Sequence, residues 1–369
     1  MGQQYCLFIT HSFGGGAERV LLTLLAGLNR AQFRPVLACL HPVPEWRTAL
    51  PPDIPCFMPH NASFTAQCSF WRQLYAAAKQ ADVVIGSLEL QSMLAAALLA
   101  PHKSIGWVHK NVQAYLAARP VWKRSIYTKL LCWAVQRCRT VVCVSNGGLQ
   151  ALQALCPSHS AHCCRIYNPV PLDQLKADAL QALPPSVEHC FSHAVILAVG
   201  RLAPEKQFDT LIRAFHRLRQ QGCNAHLCIV GEGAERAKLE QLRQHLQLEQ
   251  SVFLPGFHNP APFMARARVC VLSSRFEGLP TVLIEALSIG CPIISTDCPS
   301  GPHEITAGGS YGTLVPLHPN LELALARAMA KALTSTDSPA LRQARQARAE
   351  KFSVGNALRA WEQLFQQKE

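Results

Sequence analysis

The sequence has 369 residues, enough for two domains of ordinary size. Hydrophobic residues make up 49% of it and charged residues 16%, a composition that excludes a disordered chain. No apolar run approaches the ~18 residues that a membrane-spanning helix needs. The beginning of the chain lacks the basic region of a signal peptide, so we expect neither an integral membrane protein nor a secreted one.

Positive charge is concentrated in the first half of the chain. The net charge is +12; residues 1–175 hold 15 basic and 6 acidic residues, whereas the remainder holds 20 and 17. The segment Lys103–Arg139 has eight basic residues, no acidic residue and five interleaved aromatic residues. This pattern suits an anionic membrane surface, and it also fits nucleic acid or a solvated helix face above buried aromatic rings. No nucleic-acid-binding signature accompanies it, so we expect no nucleic acid partner.

Sixteen cysteines are scattered along the chain without a C-x-x-C pair. We interpret them mainly as small buried apolar residues in a reducing cytosol rather than as disulfides. One cluster, Cys156–Cys164, contains two histidines and could bind a soft metal. No second ligand pair stands at a standard distance, so we expect ordinary loop and strand residues there.

Short apolar strands alternate with amphipathic helices along the first half. The predicted strands are Tyr5–Thr10, Pro35–Leu40, Asp82–Gly86, Ser104–Val108, Thr140–Ser145 and Cys164–Tyr167. The predicted helices are Gly16–Leu28, Phe70–Lys79, Leu88–Ala100 and a long helix near Pro120–Arg137. This alternation predicts a parallel sheet that is covered by helices on both faces.

A second alternation follows a polar stretch that ends near Cys190 and is predicted to be a linker with a short helix. Its predicted strands are Ala194–Val199, His226–Val230, Val252–Leu254, Arg268–Leu272, Pro292–Thr296 and Thr313–Val315. The predicted helices include Phe208–Gln221, with apolar residues at the 3.6-residue period, and the terminal Pro339–Lys351 and Gly355–Gln367. Two α/β halves imply a cleft, with ligands at the carboxyl ends of the strands.

Several predicted strand ends carry groups suited to an anion or a hydroxyl. The segment His11–Arg19 places Gly14, Gly15 and Gly16 between a strand and a helix, where backbone N–H groups can meet a phosphate. A tight turn explains these glycines equally well. The segment Val230–Glu235 repeats the strand–glycine–helix pattern and by itself indicates only topology.

Two cations follow another predicted strand. Gly200 ends that strand, and Arg201 and Lys206 lie five residues apart in the loop before a helix. Two cations near a helix start can clamp a pyrophosphate. The alternative is that they form surface ion pairs with Glu205 and Asp209.

The most informative segment is Ser274–Leu287, in which Glu277 and Glu285 are eight residues apart. We expect Pro280 in the first helical turn and Thr281 as a cap, with Glu277 in the preceding loop. Glu285 then falls about one turn into an apolar helix, where a carboxylate needs good hydrogen bonds. Sugar hydroxyls are suitable donors, and an internal base is the alternative partner.

These motifs together resemble the retaining glycosyltransferases of family 4. In the second half the resemblance runs through Val-Gly-Arg201-Leu-x-x-Glu-Lys206, Val-Gly-Glu-Gly, Leu-Pro-Gly-Phe257 and Ser-x-x-Glu277-Gly-Leu-Pro-x4-Glu285-Ala. In the first half it runs through Gly15-Gly16-Ala17-Glu18-Arg19, Trp107-Val108-His109 and Tyr167-Asn168-Pro169-Val170. The run from Thr296 to Glu304 is similar to bacterial members that build cell-surface polysaccharide or lipid-linked oligosaccharide. One departure is Gln207, where relatives often have glycine.

The resemblance implies the GT-B fold, in which two Rossmann-like, doubly wound α/β domains face a central cleft. Residues 1–170 would form the acceptor-binding domain and residues 171–352 the domain that binds the nucleotide-sugar donor. The terminal helix, residues 353–369, would cross back onto the first domain.

The resemblance also implies roles for single residues. Arg201 and Lys206 would hold the donor diphosphate and stabilise the departing nucleotide. Glu277 would face the transferred sugar, and Glu285 would accept hydrogen bonds from the ribose. His109 would lie near the sugar, with a structural histidine at a strand end as the alternative. The other donor-binding residues would be Gly15, Gly16, Gly200, Phe257, Gly278, Leu279 and Pro280.

We therefore expect a hexosyltransferase that uses a nucleoside diphosphate sugar, with a UDP-sugar favoured over GDP-mannose. The acceptor would be a glycan or a lipid-linked sugar in polysaccharide, lipopolysaccharide or oligosaccharide biosynthesis, at the inner face of the cytoplasmic membrane. No metal or other cofactor is expected, because no D-x-D motif stands at a strand end and the cations would replace the metal. The alternatives are a GT-B sugar-nucleotide epimerase and a non-enzymatic scaffold that binds nucleotide sugars.

Overall fold

A computed structural model describes residues 2–11, 16–41, 50–88, 90–117 and 119–367, without the side chains of Ala17, His159 and Ser160. The chain forms two compact units. Unit 1 comprises Met1–Pro169 together with Val354–Glu369, and unit 2 comprises Val170–Ser353. The last helix of the chain therefore belongs to unit 1.

Unit 1 is built on a seven-stranded, fully parallel sheet with the order β3-β2-β1-β4-β5-β6-β7. Most of its strands are continuous apolar runs, as expected for a parallel sheet that is buried on both faces. The strands are β1 (Gln4–Thr10), β2 (Phe33–Cys39), β3 (Cys56–Phe57), β4 (Val83–Ser87), β5 (Ser104–Val108), β6 (Thr140–Cys143) and β7 (Cys163–Arg165).

Helices cover both faces of the unit 1 sheet. They are α1 (Gly16–Gly27), α2 (Phe64–Gln80), α3 (Leu90–Leu99), α4 (Val112–Ala117), α5 (Val121–Arg137), α6 (Asn146–Leu155) and the terminal α16 (Val354–Gln366). Neighbouring residues of a strand point to opposite faces. Leu7 and Ile9 of β1 pack with α2 and α3, whereas the ring of Phe8 meets that of Phe365 on α16 at 6.3 Å.

Unit 2 repeats this architecture with a six-stranded parallel sheet in the order β10-β9-β8-β11-β12-β13. Its strands are β8 (Val195–Val199), β9 (His226–Val230), β10 (Val252–Gly256), β11 (Val269–Leu272), β12 (Ile293–Thr296) and β13 (Thr313–Val315). Its helices are α7 (Leu172–Asp178), α8 (Pro185–Glu188), α9 (Phe208–Gln220), α10 (Arg236–His245), α11 (Ala261–Arg266), α12 (Thr281–Ile289), α13 (Pro302–Ile305), α14 (Leu321–Thr334) and α15 (Pro339–Ala349).

The main core of unit 2 lies between the sheet and the helices α9 and α14. The apolar stripe of α9 is the one that its 3.6-residue period predicted, and it includes Phe208, Leu211 and Phe215. On the opposite face, α12 packs against α7, α11 and α15. The predicted α/β fold with two parallel sheets is therefore confirmed.

Some local predictions were wrong. The helix α2 begins at Phe64 rather than Phe70, because Ser63 caps it by accepting a hydrogen bond from the backbone N–H of Ala66. One pair departs from the prediction that the cysteines are mainly unbonded, since Cys132 on α5 is bonded to Cys156 at the end of α6. Within the described parts of the chain, none of the helices has the length and apolar character needed to cross a bilayer.

Candidate active site

The carboxyl edge of the unit 2 sheet gathers most of the predicted site residues. All strands of this sheet are parallel, so their carboxyl ends meet at one edge, which is where α/β folds bind ligands. The loops that leave this edge carry Gly200 and Arg201 after β8, Phe257 after β10, and Glu277 after β11. The structure thus places residues from three separate motifs on one side of the sheet.

Lys206 and Glu277 form an ion pair at this edge. Lys206 ends a 3-10 turn, Pro204–Lys206, that precedes α9, and its Nζ lies 2.6 Å from Oε1 of Glu277. The side chains of Lys206 and Glu277 are only 18% and 13% exposed. Burial weakens competition from water, so each charge acts strongly on whatever enters the site.

The carboxylate of Glu277 has one occupied and one open oxygen. The hydroxyl of Ser274 donates to the same Oε1 at 2.6 Å. Among the described residues, none donates a hydrogen bond to Oε2, and this oxygen is not buried. The arrangement therefore holds one oxygen in place and leaves the other free to accept from a ligand.

Two further hydroxyls fix the backbone around this pair. The hydroxyl of Ser273 donates to the carbonyl oxygen of Lys206 at 2.7 Å, and that of Thr296 at the end of β12 donates to the carbonyl oxygen of Ser274 at 2.6 Å. Ser274 and Thr296 are fully buried, and Ser273 nearly so. The loop after β11 is thereby tied both to the Lys206 turn and to the neighbouring strand.

Arg201 has a different environment from Lys206. Its guanidinium donates to Oε1 of Glu205 at 2.8 Å, and its side chain is 68% exposed. This is one of the two surface pairings that the sequence left open for the cations. Burial raises the pKa of Glu205, but its hydrogen bonds and the charges of Arg201 and Lys206 outweigh this effect and leave the pKa below its usual value.

The segment between Glu277 and Glu285 differs slightly from its prediction. The helix α12 begins at Thr281, and Pro280 precedes it as the N-cap residue, so Thr281 is not the cap. Gly278, Leu279 and Pro280 are buried. Glu277 lies in the loop and Glu285 in the second turn of α12, where it is half-buried among apolar neighbours.

A glycine keeps the loop before α12 in place. Gly301 has a φ of +93°, and a Cβ on it would lie 2.3 Å from Cδ of Pro280 and 3.2 Å from Cα of Leu279. Only glycine allows the loop after β12 to approach the loop before α12 this closely. This contact explains part of the glycine- and proline-rich run that begins at Thr296.

Gly200 and Phe257 lie at the same edge with room around them. A Cβ on Gly200 would be 3.6 Å from Cε of Lys206, an ordinary contact, so Gly200 is directly beside the ion pair. Gly231 has a stricter requirement, because a Cβ there would lie 1.9 Å from the carbonyl oxygen of Gly200. Phe257 is largely exposed and has an aromatic face available for stacking.

His109 occupies the corresponding edge of unit 1, directly after β5. Its ring lies 4.3 Å from that of Trp107, which in turn lies 4.7 Å from that of Trp361 on α16. Both ring nitrogens are shielded from solvent and have no hydrogen-bond partner among the described residues. Burial, with the nearby charge of Lys110, lowers the pKa of His109 to about 3, so its ring is neutral at physiological pH.

The glycines of the first motif are only partly described. Gly15 lies outside the described residues. Gly16 is exposed as the first residue of α1, and a Cβ on it would meet nothing within 4 Å. β1, which precedes this segment, is separated from β5 by one strand, so Gly16 and His109 share the carboxyl edge of the unit 1 sheet.

Metal ligands are not gathered at either edge. Across the described part of the chain, no group of three or more His, Cys, Asp and Glu side chains is arranged to hold a metal ion. In the Cys156–Cys164 cluster, Cys156 is bonded to Cys132 instead. The cations at the unit 2 edge are the groups with the right charge to meet a diphosphate.

Two family models match the chain. Residues 14–174 match the model described as Glycosyltransferase Family 4, and residues 192–352 match the model described as Glycosyl transferases group 1. The chain belongs to the family 4 glycosyltransferases. The resemblance inferred from the motifs is thereby confirmed, and the matched residues of this family 4 chain cover both units.

Relatives of this family 4 chain are about one-third identical to it over the aligned part of their length. It is 32% identical over 210 residues to an uncharacterized glycosyltransferase of Methanocaldococcus jannaschii, covering 55% of this chain and 50% of that one. It is 34% identical over 172 residues to the N-acetylgalactosamine-N,N'-diacetylbacillosaminyl-diphospho-undecaprenol 4-alpha-N-acetylgalactosaminyltransferase of Campylobacter jejuni, covering 46% and 45%. The matches thus span about half the length of these relatives.

Solved structures share the whole fold at low sequence identity. HepE of Anabaena in complex with UDP-glucose has a TM-score of 0.79 and is 18% identical, with 98% of this chain and 99% of that chain covered. WaaG, a glycosyltransferase involved in lipopolysaccharide biosynthesis, has a TM-score of 0.72 and is 16% identical, with 98% and 100% covered. The two-domain GT-B fold expected from the resemblance is confirmed by these matches.

Sequence reasoning gave no role to Ser273, Ser274 and Thr296. A serine three residues before Glu277 was visible as part of the motif, but its hydroxyl contact depends on how the loop after β11 turns back. The contributions of Ser273 and Thr296 depend on segments 67 and 22 residues away in sequence. Only the folded sheet edge reveals them.

Proposed function

We propose that this chain transfers a sugar from a nucleoside diphosphate sugar to a hydroxyl of a glycan or lipid-linked acceptor. The observation that carries the proposal is the shielded Lys206–Glu277 ion pair at the carboxyl edge of the unit 2 sheet. It offers a cation for a diphosphate and a carboxylate for sugar hydroxyls within one small region. Membership of family 4 and relatives named for polysaccharide and lipopolysaccharide synthesis support it.

In the proposed reaction the bond between the sugar C1 and the diphosphate oxygen breaks, and a bond from C1 to the acceptor oxygen forms on the same face. The acceptor proton leaves to the diphosphate or to water, so the products are a nucleoside diphosphate and a glycoside of unchanged anomeric configuration. The step needs positive charge where the leaving diphosphate develops negative charge. Lys206 and Arg201 supply it in this proposal, without a metal or other cofactor.

Lys206 can serve both groups at once. An ammonium group has three N–H donors, and Glu277 accepts from only one of them. The others remain for diphosphate oxygens, so donor binding does not require the ion pair to break. Arg201 is more exposed and paired with Glu205, so we assign it a smaller contribution to the leaving group.

We assign the sugar and the nucleoside to the neighbouring groups. Oε2 of Glu277 would accept from a sugar hydroxyl, Glu285 from the ribose hydroxyls, and Phe257 would border the base. His109 and the Gly15–Gly16 segment of unit 1 would meet the sugar and the phosphates or the acceptor. A neutral imidazole presents one donor and one acceptor, which is the set that a sugar hydroxyl satisfies. A UDP-sugar is the favoured donor, since HepE is described in complex with UDP-glucose.

A turnover assay tests the proposal. Purified protein is offered UDP- and GDP-sugars with an acceptor extract, and nucleotide release is followed. Lys206→Met and Glu277→Gln should each lower the rate by at least about 100-fold, because each removes charge from the leaving group or the sugar. The matched control is Lys331→Met, which removes an exposed unit 2 cation from the last turn of α14, at the opposite edge of the sheet. EDTA should leave the rate unchanged.

Each other outcome has a defined meaning. Wild-type rates in both Lys206→Met and Glu277→Gln would show that the site is wrongly assigned. Conversion of the nucleotide sugar without an acceptor would identify the epimerase alternative. Binding of the nucleotide sugar without any turnover in the presence of acceptor would identify the scaffold.

We also propose that unit 1 docks on the anionic inner face of the cytoplasmic membrane through the start of α5. Every side chain from Val121 to Ile126 is exposed, so none of the first six residues of this helix is buried, and packing begins at Tyr127. The buried residues of α5 all lie in its second half: Leu131, Ala134 and Val135. A helix start with exposed Val121, Trp122 and Ile126 is unfavourable in water and suits the boundary of a bilayer.

Neighbouring helices extend the same surface. Of the twelve large hydrophobic side chains that are exposed in the described residues, eight lie on α2, α3 and α5, which pack side by side. They are Phe64, Trp71, Tyr75, Leu98, Val121, Trp122, Ile126 and Leu130. Exposed basic residues accompany them on α5, namely Lys123, Arg124 and Lys129. Apolar side chains together with cations fit an anionic lipid surface better than they fit nucleic acid.

A further inference from the structure

We infer that Ser274 is a positioning residue that aims Glu277 at the sugar of the donor. Its hydroxyl and the ammonium group of Lys206 hold the same oxygen of Glu277, which leaves the other oxygen to accept a hydrogen bond from the sugar. This inference rests on the proposed function and concerns a residue for which the motifs implied no role.

The geometry is specific to one oxygen. Oγ of Ser274 and Nζ of Lys206 each lie 2.6 Å from Oε1 of Glu277. Hydrogen bonds to an ionised carboxylate are shorter and stronger than neutral ones. Two such bonds on Oε1 fix the rotation of the carboxylate, so Oε2 has a defined direction rather than several.

The serine becomes more important when the donor binds. Diphosphate oxygens attract the ammonium group of Lys206, and this weakens its hold on Glu277. A glutamate side chain has three rotatable bonds, so a weakened ion pair alone would hold it less firmly. The Ser274 hydroxyl is neutral, is fully buried and has no reason to follow the diphosphate, so it keeps Glu277 aimed while Lys206 acts on the leaving group.

The hydroxyls of Ser273 and Thr296, which hold the backbone around Ser274, support this role. Its carbonyl oxygen accepts from the hydroxyl of Thr296 at 2.6 Å, and Ser273 next to it ties the loop to the carbonyl oxygen of Lys206. Buried hydroxyls at a strand end cost free energy unless they are paired, and alanine would pack there without that cost. Their presence is explained if these hydroxyls set the position of Glu277 to a fraction of an ångström.

The adjacent strand provides a matched control. Ser295 lies on β12 in register with Leu272 of β11, and it is fully buried like Ser274. Its hydroxyl donates to the carbonyl oxygen of Thr296 at 2.8 Å and does not contact Glu277. Ser295→Ala therefore removes an equally buried hydroxyl while leaving in place the hydroxyls that hold Ser274 and Glu277.

The experiment compares Ser274→Ala with Ser295→Ala in donor turnover and in UDP binding. We expect Ser274→Ala to lower kcat/KM for the donor by about 10- to 100-fold, the usual effect of losing a hydrogen bond to a charged group. UDP lacks the sugar, so its affinity should stay within about twofold of wild type. Ser295→Ala should match wild type in both measurements.

A double-mutant cycle separates positioning from loss of structure. In a Glu277→Gln background, Ser274→Ala should cause no further loss, because the group that it positions has already changed. Should Ser274→Ala fold poorly, Thr296→Val replaces it as a variant of similar volume and should lower kcat/KM in the same direction by a smaller factor.

Several results would overturn the inference. One is an equal kcat/KM in Ser274→Ala and Ser295→Ala. Another is a double-mutant cycle in which the losses from Ser274→Ala and Glu277→Gln add. A third is a loss of UDP affinity in Ser274→Ala that is as large as its loss of kcat/KM. Wild-type protein that binds and turns over no nucleotide sugar would instead overturn the proposed function, and this inference with it.

Discussion

Lys206 and Glu277 are more easily explained by chemistry than by stability. Removing two charges from water is costly, and an ion pair in such a place often stabilises a fold no better than apolar residues would. Their side chains are less than a fifth exposed, so this cost applies here. A cation and an acid that are fixed in advance at a sheet edge are, however, well suited to meet a diphosphate and a sugar without reorganisation.

The sequence alone could not predict that Lys206 and Glu277 pair with each other. Both residues could be selected individually, Lys206 from a loop with two cations and Glu277 from its spacing to Glu285. Their contact joins residues that are 71 positions apart and depends on β8 and β11 being neighbours in the sheet. Glu205 and Asp209 are nearer to the two cations in sequence and were the alternative partners. Of these pairings only the one between Arg201 and Glu205 forms.

His109 yields a prediction about stability and pH. Burial lowers its pKa from about 6.5 in the unfolded chain to about 3 in the folded one, so unfolding takes up a proton between these values. The stabilisation from His109 is therefore complete above pH 6.5 and is lost as the pH falls towards 3. Within this window the free energy of unfolding should fall by about 1.4 kcal/mol per pH unit from this residue alone.

Urea unfolding between pH 5 and 7, followed by tryptophan fluorescence, measures this effect. All six tryptophans lie in unit 1, so the signal reports the unit that contains His109. His109→Asn should reduce the pH dependence by the amount given above, whereas His60→Asn, which removes an exposed imidazole of the same unit, should not. Parallel curves for wild type and His109→Asn would show that the ring is protonated equally in both states.

At the scale of elements, segments with an apolar run between turns were predictable, whereas elements that are set by a sheet edge or by a cap were not. The strands Ser104–Val108, His226–Val230 and Thr313–Val315 match their predicted bounds, because apolar runs between turns define them. β3, with two residues, is too short to produce a pattern, and it forms only because β2 offers an edge. The start of α2 is set by a cap rather than by an apolar stripe.

The start of α5 yields a prediction about membranes. Reversing the charges of Lys123, Arg124 and Lys129 to glutamate should weaken binding to phosphatidylserine-containing liposomes by at least about 100-fold, since each basic residue near such a surface contributes about 1 kcal/mol. Cosedimentation measures the binding, and raising the salt concentration should weaken it for wild type as well.

A matched control carries the same change in charge elsewhere. Arg213, Arg327 and Lys331 are exposed cations on α9 and α14 of unit 2. Reversing these three should leave liposome binding much closer to wild type. Equal losses in the two triple variants would attribute binding to net charge alone, and binding that is indifferent to both would reject the docking proposal.

At the scale of the whole molecule, the two units have similar architecture but different surfaces and edges. Among the described residues, unit 1 has most of the exposed large apolar side chains, and it has the shielded imidazole of His109, for which no described residue is a hydrogen-bond partner. Unit 2 has the framed ion pair and a smaller excess of basic residues. We propose that this asymmetry divides the work, with unit 1 serving the acceptor and unit 2 the donor. Motif order predicted the fold, and charge counts predicted which half is more basic, whereas the exposed apolar side chains and the buried imidazole of His109 required the structure.

The most direct test of the central claim is a crystal structure of the wild-type protein with a bound UDP-sugar. The account predicts the diphosphate within hydrogen-bond distance of Nζ of Lys206, a sugar hydroxyl on Oε2 of Glu277, and Oε1 still held by Ser274. A nucleotide bound away from the carboxyl edge of the unit 2 sheet, or a Glu277 turned from the sugar, would contradict it.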